Sequence, residues 1–323
     1  MIREENIKIL SAYELGATLT FPATEDVQSP AILLIPGTGG SDRDGNKGGL
    51  DMNLYKDLAH FFTQQGFVTL RYDKRGMHES RGDAYACGMW DMVDDAAACL
   101  RFLKTHPQVN PNRIIIFGHS EGCILGTALQ IKEPASGLIM VGGGAMSLKE
   151  AIDQQRESAF VAMQAQKGFK GWLFRTLKAV EKAKKQNAAF DEKVLNSTED
   201  TIKMMGKKLP AKWLREHYSY DICADLASVT CPTLVISGSK DLQAPIEGVL
   251  RVEKLVQGEV ETHIIPNMTH ILKIWDGEID GLNLMKVYKE QVNQPIDETL
   301  LQVLENWLLR YKGAKSEWLV NQQ

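Results

Sequence analysis

The sequence has few of the residues that tie a chain together through covalent or metal bonds. It contains five cysteines in 323 residues, an odd number, and no two of them stand in a CxxC arrangement. This usage is typical of reduced thiols and supports neither a disulfide framework nor a zinc site. We therefore expect a chain stabilised by its apolar core alone, without a structural metal.

Excess charge of one sign and long apolar runs are also missing. The 37 Lys and Arg are balanced by 41 Asp and Glu, so no basic field favours nucleic acid. Apolar runs such as Ile114–Phe117 are of strand length, far below the roughly 18 residues that span a bilayer. The charged start, Met1–Asn6, is unlike a signal peptide. These features predict a cytoplasmic protein without a nucleic-acid partner or a membrane segment.

The chain does contain a regular alternation of strand and helix patterns. Short apolar runs stop at Gly or Pro and are followed by segments with apolar residues on one helical stripe. The predicted strands are Ala31–Ile35, Phe67–Tyr72, Arg113–Phe117, Leu138–Val141, Thr233–Ile236 and Thr262–Ile265. Such an alternation predicts an α/β fold with a mostly parallel sheet and helices on both faces.

The alternation is interrupted by residues 147–220, which we call the insertion. This segment has helix-forming patterns and no strand-like run, so we predict a helical cap on a core made of residues 1–146 and 221–323. The core then has 249 residues, a common size for one α/β domain. The insertion carries a net charge of +6 and the core −10.

The side chains of the insertion are compatible with more than one role for this segment. Apolar residues such as Phe160 and Trp213 are expected to pack on the core or to line an acyl pocket. A run of lysines forms either a solvated helix face or a site that attracts an anionic substrate or an anionic membrane: Lys178, Lys182, Lys184 and Lys185. The apolar surface of the insertion could also join two copies of the chain in a homo-oligomer.

The segment with the clearest chemistry is Gly118-His119-Ser120-Glu121-Gly122. A bare GxSxG pattern is weak evidence, but this one lies directly between a predicted strand and a predicted helix. A serine in such a turn, the nucleophile elbow, lies above the sheet at the N-terminus of the next helix. Free N–H groups at that end favour a developing oxyanion. Ser120 is therefore the candidate nucleophile.

A serine hydroxyl needs a histidine base and an acid that orients it. On this kind of fold the acid and then the histidine follow later strands. Asp241 and His270 lie in such loops, and Asp225 is a competing acid. Four other histidines fit worse because they lie on predicted helices, in a strand or in the insertion: His60, His106, His217 and His263.

The neighbours of the serine have separate predicted roles. His119 is expected to be a packed residue, because successive strand residues point to opposite sides. The Glu121 N–H is a predicted oxyanion donor, and its side chain could hold a loop by a hydrogen bond. The second donor is predicted in the glycine-rich loop after the first buried strand, at Thr38 or alternatively at Gly39.

Two charged loops end strands at the same edge of the predicted sheet. They are Arg43-Asp44-Gly45 and Tyr72-Asp73-Lys74-Arg75-Gly76. The favoured interpretation is that these two loops form ion pairs that support the glycine-rich loop of the oxyanion donors. The alternative is that they contact the substrate.

Taken together, these motifs resemble the α/β-hydrolase superfamily, and in particular bacterial carboxylesterases related to the dienelactone-hydrolase and serine-aminopeptidase groups. The resemblance is carried by Ile35–Asn46, Tyr72–Gly76, Gly118–Gly122, Gly238–Asp241 and His270. It implies a Ser120–Asp241–His270 triad, cleavage of small-molecule carboxylic esters and no cofactor. The chain departs from lipases with a His-Gly-Gly-Gly motif, because Pro36 stands where their histidine would be.

Three alternatives to an esterase remain open at this point. A thioesterase or an acyltransferase would use the same triad. A peptidase has less support, since the sequence has no amino-terminal propeller of the prolyl-oligopeptidase kind. A binding protein without activity on the same fold is the third.

Overall fold

The computed structural model describes residues 2–23, 28–204 and 206–312, without the side chains of residues 170, 171, 174 and 175. The outer limits predicted for the core, residues 1 and 323, lie outside the described residues. The described part contains an eight-stranded sheet with the order β1-β2-β4-β3-β5-β6-β9-β10. Only β2 runs against its neighbours, which confirms the predicted mostly parallel sheet.

The strands of this sheet begin and end at defined residues. They are β1 (Arg3–Leu10), β2 (Glu14–Phe21), β3 (Ser29–Ile35), β4 (Val68–Tyr72), β5 (Val109–His119), β6 (Gly137–Val141), β9 (Thr233–Gly238) and β10 (Val260–Ile265). The first two form an antiparallel pair at one edge and were not among the predicted strands. Ile32 and Leu34 face one side of the sheet, and Leu33 and Ile35 face the other. A strand buried on both sides explains the continuous apolar run in the sequence.

Helices cover both faces of the sheet. Those of the core are α1 (Leu54–Gln64), α2 (Met89–Thr105), α3 (Glu121–Lys132), α8 (Ile222–Leu226), α9 (Ile246–Leu255), α10 (Leu284–Gln291) and α11 (Glu298–Leu308). Buried residues of α1 and α11 pack on one face, and those of α2, α3, α8 and α9 on the other. None of the helices within the described ranges is long and apolar enough to cross a bilayer.

The insertion is mainly helical, but it also contains a hairpin that was not predicted. Its elements are α4 (Leu148–Ala165), α5 (Gly168–Thr176), α6 (Ala179–Leu195), β7 (Thr201–Met204), β8 (Lys207–Pro210) and α7 (Ala211–Ser219). The expectation of a segment without strands is therefore wrong at residues 201–210. Each strand has only four residues, too short for a recognisable period. The hairpin is held because Ile202 packs on Val194 and Leu214.

We predict that α11 contributes strongly to the stability of the core. Leu304 of α11 is fully buried, whereas Leu309, just beyond the helix, is 55% exposed. Leu304→Ala should lower the free energy of unfolding by about 2–5 kcal/mol, because it removes apolar contacts and leaves a cavity. Leu309→Ala, the matched control, should change it little. Urea denaturation of both variants measures the difference, and equal effects would contradict this packing.

Candidate active site

The backbone at Ser120 has an unusual conformation that only small neighbours permit. Ser120 lies between β5 and α3 with φ 57° and ψ −121°. A Cβ added to Gly118 would lie 2.2 Å from the Gly122 carbonyl oxygen, and one added to Gly122 would lie 2.1 Å from the Ile35 oxygen. Both glycines are therefore required for the close approach of the strand and the helix. A strained serine of this kind marks a candidate functional site.

Ser120, His270 and Asp241 form a continuous chain of hydrogen bonds. The Ser120 hydroxyl lies 2.9 Å from His270 Nε2, and His270 Nδ1 lies 2.8 Å from Asp241 Oδ2. The carboxylate can only accept, so Nδ1 carries the proton and Nε2 is free to accept from the serine. The other carboxylate oxygen accepts the N–H groups of Gln243 and Ala244, at 2.8 and 2.9 Å. The arrangement fixes the imidazole in the tautomer that a general base requires.

The competing candidates lie elsewhere. Asp225 on α8 accepts the Tyr220 hydroxyl at 2.7 Å. His60 contacts Glu4, and His263 contacts Glu261 in β10. The other two histidines that were less suitable as the base are His106, which follows the end of α2, and His217, which lies on α7.

His119 is a buried link between helix α1 and the loop that carries His270. Its Nδ1 lies 3.0 Å from the Tyr55 hydroxyl, and its Nε2 lies 2.9 Å from the His270 carbonyl oxygen. Burial, together with the neighbouring His270 ring, lowers the pKa of His119 to about 3. A neutral ring then donates Nε2–H to that carbonyl and accepts from Tyr55 at Nδ1. Both ring nitrogens of His119 have hydrogen-bond partners, so neither is free to act as a base, which agrees with the predicted packed residue.

The same tyrosine holds the loop after β3. Its hydroxyl accepts the Gly37 N–H at 2.7 Å. The Gly37 N–H therefore already has an acceptor, and the next backbone N–H along the loop belongs to Thr38. Thr38 lines the cavity above Ser120, whereas Gly39 lies outside that lining. Glu121 opens α3, where backbone N–H groups have no acceptor within the helix.

The charged loops pair with one another as the favoured interpretation predicted. Arg43 donates to Asp73 from its side chain and from its backbone N–H, both at 2.7 Å. Arg71 donates to Asp44 at 2.6 Å. These pairs fasten the segment after β3 to the end of β4 and to the residue that follows it.

The Glu121 side chain lies at the centre of a second buried network. Lys74 donates to Glu121 Oε2 at 2.7 Å and to the Gly37 carbonyl at 2.5 Å. Trp213 donates to Glu121 Oε1 at 2.7 Å, and His217 Nε2 lies 3.1 Å from the same oxygen. Burial alone would raise the pKa of Glu121, but Lys74 and His217 hold that pKa well below its usual value. Sequence reasoning missed Tyr55 and did not predict the contacts of Trp213 and His217 with Glu121, because no local pattern joins these residues to the motif.

A cavity of about 350 Å³ opens above Ser120. Its lining is largely apolar and comes from both the core and the insertion, including Met52, Leu54, Ile124, Met146, Leu148, Ile152, Trp213 and Ile271. Phe160, the other apolar residue singled out in the insertion, is buried outside this lining. Among the residues that the structure describes, Glu121 is the only carboxylate that lines the cavity, and its charge is paired with Lys74. Across the described ranges, no group of three or more His, Cys, Asp or Glu side chains could hold a metal ion.

Comparisons with known proteins place the chain among hydrolases. Residues 48–274 match the model of a family described as "Serine aminopeptidase, S33". Esterase EstD of Thermotoga maritima is 23% identical over 283 residues, which are 87% of this chain and 62% of EstD. The chain thus spans less than two thirds of that relative.

Solved structures share the fold at lower identity. Est1E from Butyrivibrio proteoclasticus has a TM-score of 0.60 at 15% identity, over 95% of this chain and 98% of Est1E. A proline iminopeptidase from Mycobacterium smegmatis has a TM-score of 0.61 at 14% identity, with the same coverage. Both likenesses concern the α/β-hydrolase fold alone.

We predict that the Tyr55 hydroxyl stabilises the site measurably. Tyr55→Phe keeps the buried ring but leaves the Gly37 N–H and His119 Nδ1 without their partner. The free energy of unfolding should fall by about 1–3 kcal/mol, the cost of unsatisfied buried polar groups. Tyr85→Phe is the matched control, because Tyr85 is 49% exposed. Urea denaturation distinguishes the two, and a Tyr55→Phe protein as stable as the control would contradict the assigned bonds.

Proposed function

The chain belongs to the serine aminopeptidase S33 family of hydrolases, and we propose that it cleaves small carboxylic esters through an acyl-enzyme on Ser120. The observation that carries the proposal is the unbroken hydrogen-bonded chain from Ser120 through His270 to Asp241. Ser120 lies at the strained elbow, and the cavity with its largely apolar lining opens directly above it. The likeness to an esterase over 87% of the chain adds support.

The proposed reaction proceeds in two steps. His270 Nε2 takes the hydroxyl proton as Ser120 attacks the ester carbonyl, and the same proton then passes to the leaving alcohol. A water molecule, deprotonated by His270, next attacks the acyl-enzyme; the bond to Ser120 breaks, His270 returns the proton to the Ser120 oxygen, and the acid is released. Asp241 stays ionised throughout and stabilises the imidazolium that forms in each step.

We assign the oxyanion hole to the N–H groups of Thr38 and Glu121. Thr38 is favoured over Gly39 because it lines the cavity with Ser120. Glu121 is favoured because its N–H lies in the first turn of α3, where the helix dipole adds to the attraction. Both donors belong to the backbone and need no cofactor.

The lining of the cavity favours an ester over an aminopeptidase substrate. An aminopeptidase must bind a free amino terminus, which calls for an unpaired carboxylate near the serine. Of the described residues that line the cavity, the one carboxylate is Glu121, and Lys74 neutralises it. An uncharged acyl group fits the apolar lining better. A cytoplasmic location and self-association through the insertion stay predictions.

The acid of the triad can be tested against its sequence-based competitor. Asp241→Asn should lower kcat for p-nitrophenyl butyrate by roughly 10³ to 10⁴, because His270 loses the partner that fixes its tautomer. Asp225→Asn, the same substitution on α8, should leave kcat within about twofold. Steady-state kinetics compare the two. Full activity of the Asp241 variant, or an equal loss in both, would refute the assignment.

The size of the cavity predicts a preference for short acyl groups. A volume of about 350 Å³ is near the lower end for ligand sites. We expect kcat/KM to be higher for p-nitrophenyl acetate and butyrate than for the palmitate ester. Alanine p-nitroanilide should be turned over far more slowly than either short ester. A higher kcat/KM for the anilide would favour the peptidase alternative, and comparison with acyl-CoA substrates tests the thioesterase alternative.

A further inference from the structure

The buried network around Glu121 joins the insertion to the two proposed oxyanion donors. Glu121 and His217 have side-chain exposures of 1% and 0%, and Lys74 has 6%. Buried charges such as those of Glu121 and Lys74 are stable only when they are paired and hydrogen-bonded. The network is therefore a fixed part of the fold and not a surface ion pair.

Lys74 orients the first donor through the planarity of a peptide bond. The Gly37 carbonyl that accepts from Lys74 and the Thr38 N–H are opposite ends of the same peptide unit. Fixing the oxygen therefore fixes the direction of the N–H. Tyr55 holds the preceding N–H, so the loop is anchored on both sides of Gly37.

Glu121 orients the second donor more directly, because the N–H belongs to Glu121 itself. Its side chain accepts hydrogen bonds from Lys74 of the core and from Trp213 of the insertion, and a further neighbour in the insertion, His217, has its Nε2 3.1 Å from the carboxylate. The latter two are four residues apart, on one face of α7, with ring centroids 4.6 Å apart. His217 Nδ1 lies 2.9 Å from the Trp213 carbonyl oxygen, which keeps the ring against α7. Two of the groups around the carboxylate thus come from outside the core.

We propose that α7 of the insertion positions the oxyanion hole, with Trp213, His217 and Lys74 acting through the Glu121 carboxylate. The inference rests on the proposed function and assigns the insertion a part in catalysis beyond covering the cavity. The three side chains are positioning residues, since the groups that meet the oxyanion are the N–H groups of Thr38 and Glu121. Loosening the network should raise the barrier to the chemical step and leave substrate binding nearly unchanged.

Two substitutions at one position separate this role from simple packing. His217 lies outside the lining of the cavity, so its replacement removes no substrate contact. His217→Gln keeps a donor near the place of Nε2, beside Glu121. His217→Asn keeps a donor near the place of Nδ1, beside the Trp213 carbonyl, and leaves Glu121 without this neighbour.

We expect His217→Asn to lower kcat for p-nitrophenyl butyrate by about 10- to 100-fold, with KM within about twofold. His217→Gln should recover most of that loss. Glu157→Gln is the control within the insertion, because it removes the 3.1 Å ion pair between α4 and Lys184 of α6 and contacts neither α7 nor Glu121. It should leave both kcat and KM unchanged. Should His217→Asn fail to fold, Trp213→Phe replaces it, since it keeps a ring and loses the donor to Glu121. Trp213 also lines the cavity, so for this variant an unchanged kcat overturns the inference whatever happens to KM.

The possible results lead to different conclusions. Wild-type kcat in His217→Asn, or the same loss in the Gln and Asn variants, overturns the inference and leaves the esterase proposal intact. A KM effect without a kcat effect also overturns it, because it indicates a binding role. A wild-type protein that hydrolyses none of the short esters overturns the proposed function, and the inference with it.

Discussion

The left-handed backbone of Ser120 is the constraint on which the rest of the site depends. A residue other than glycine pays a steric cost at φ 57°, and the surrounding fold must hold it there. The fold does so by bringing α3 against β5 and β3 so closely that Gly118 and Gly122 admit no side chain. The serine hydroxyl is thereby placed above the sheet edge, where the loops after β9 and β10 bring Asp241 and His270.

Polar side chains below the cavity hold those loops in relation to the elbow. Tyr55 and His119 form one link, which connects the Gly37 N–H to the His270 carbonyl. Lys74 and Glu121 form the other, which connects the Gly37 carbonyl to α3 and to α7. In each link the connecting side chains are buried and hydrogen-bonded to one another. A geometry that must be precise to a fraction of an ångström therefore rests on hydrogen bonds and not on apolar packing alone.

Much of the fold could be predicted because its signals are local. A strand buried on both faces is an unbroken apolar run, and Gly or Pro marks its end, as at Pro36. The triad could also be proposed, since Ser120, Asp241 and His270 follow strands in a fixed order. The antiparallel edge strands were missed because they lack the unbroken apolar run of the central strands: β1 lies at the edge and most of its side chains are not buried.

The remaining features depend on contacts that the sequence does not display. Trp213 and Glu121 are 92 positions apart, and Tyr55 and His119 are 64 apart. Nothing in the neighbourhood of any of these residues indicates its partner. The hairpin in the insertion was missed for a different reason, since strands of four residues give no period and their buried Ile202 packs with residues of α6 and α7.

The most direct test of the central claim is to find the residue that reacts as the nucleophile. The protein is treated with diisopropyl fluorophosphate, digested and mapped by mass spectrometry. The account predicts one adduct per chain, on the peptide that contains Ser120, and no adduct after Ser120→Ala or after prior denaturation. Modification at another serine, or an unmodified Ser120 in folded protein that hydrolyses esters, would contradict it.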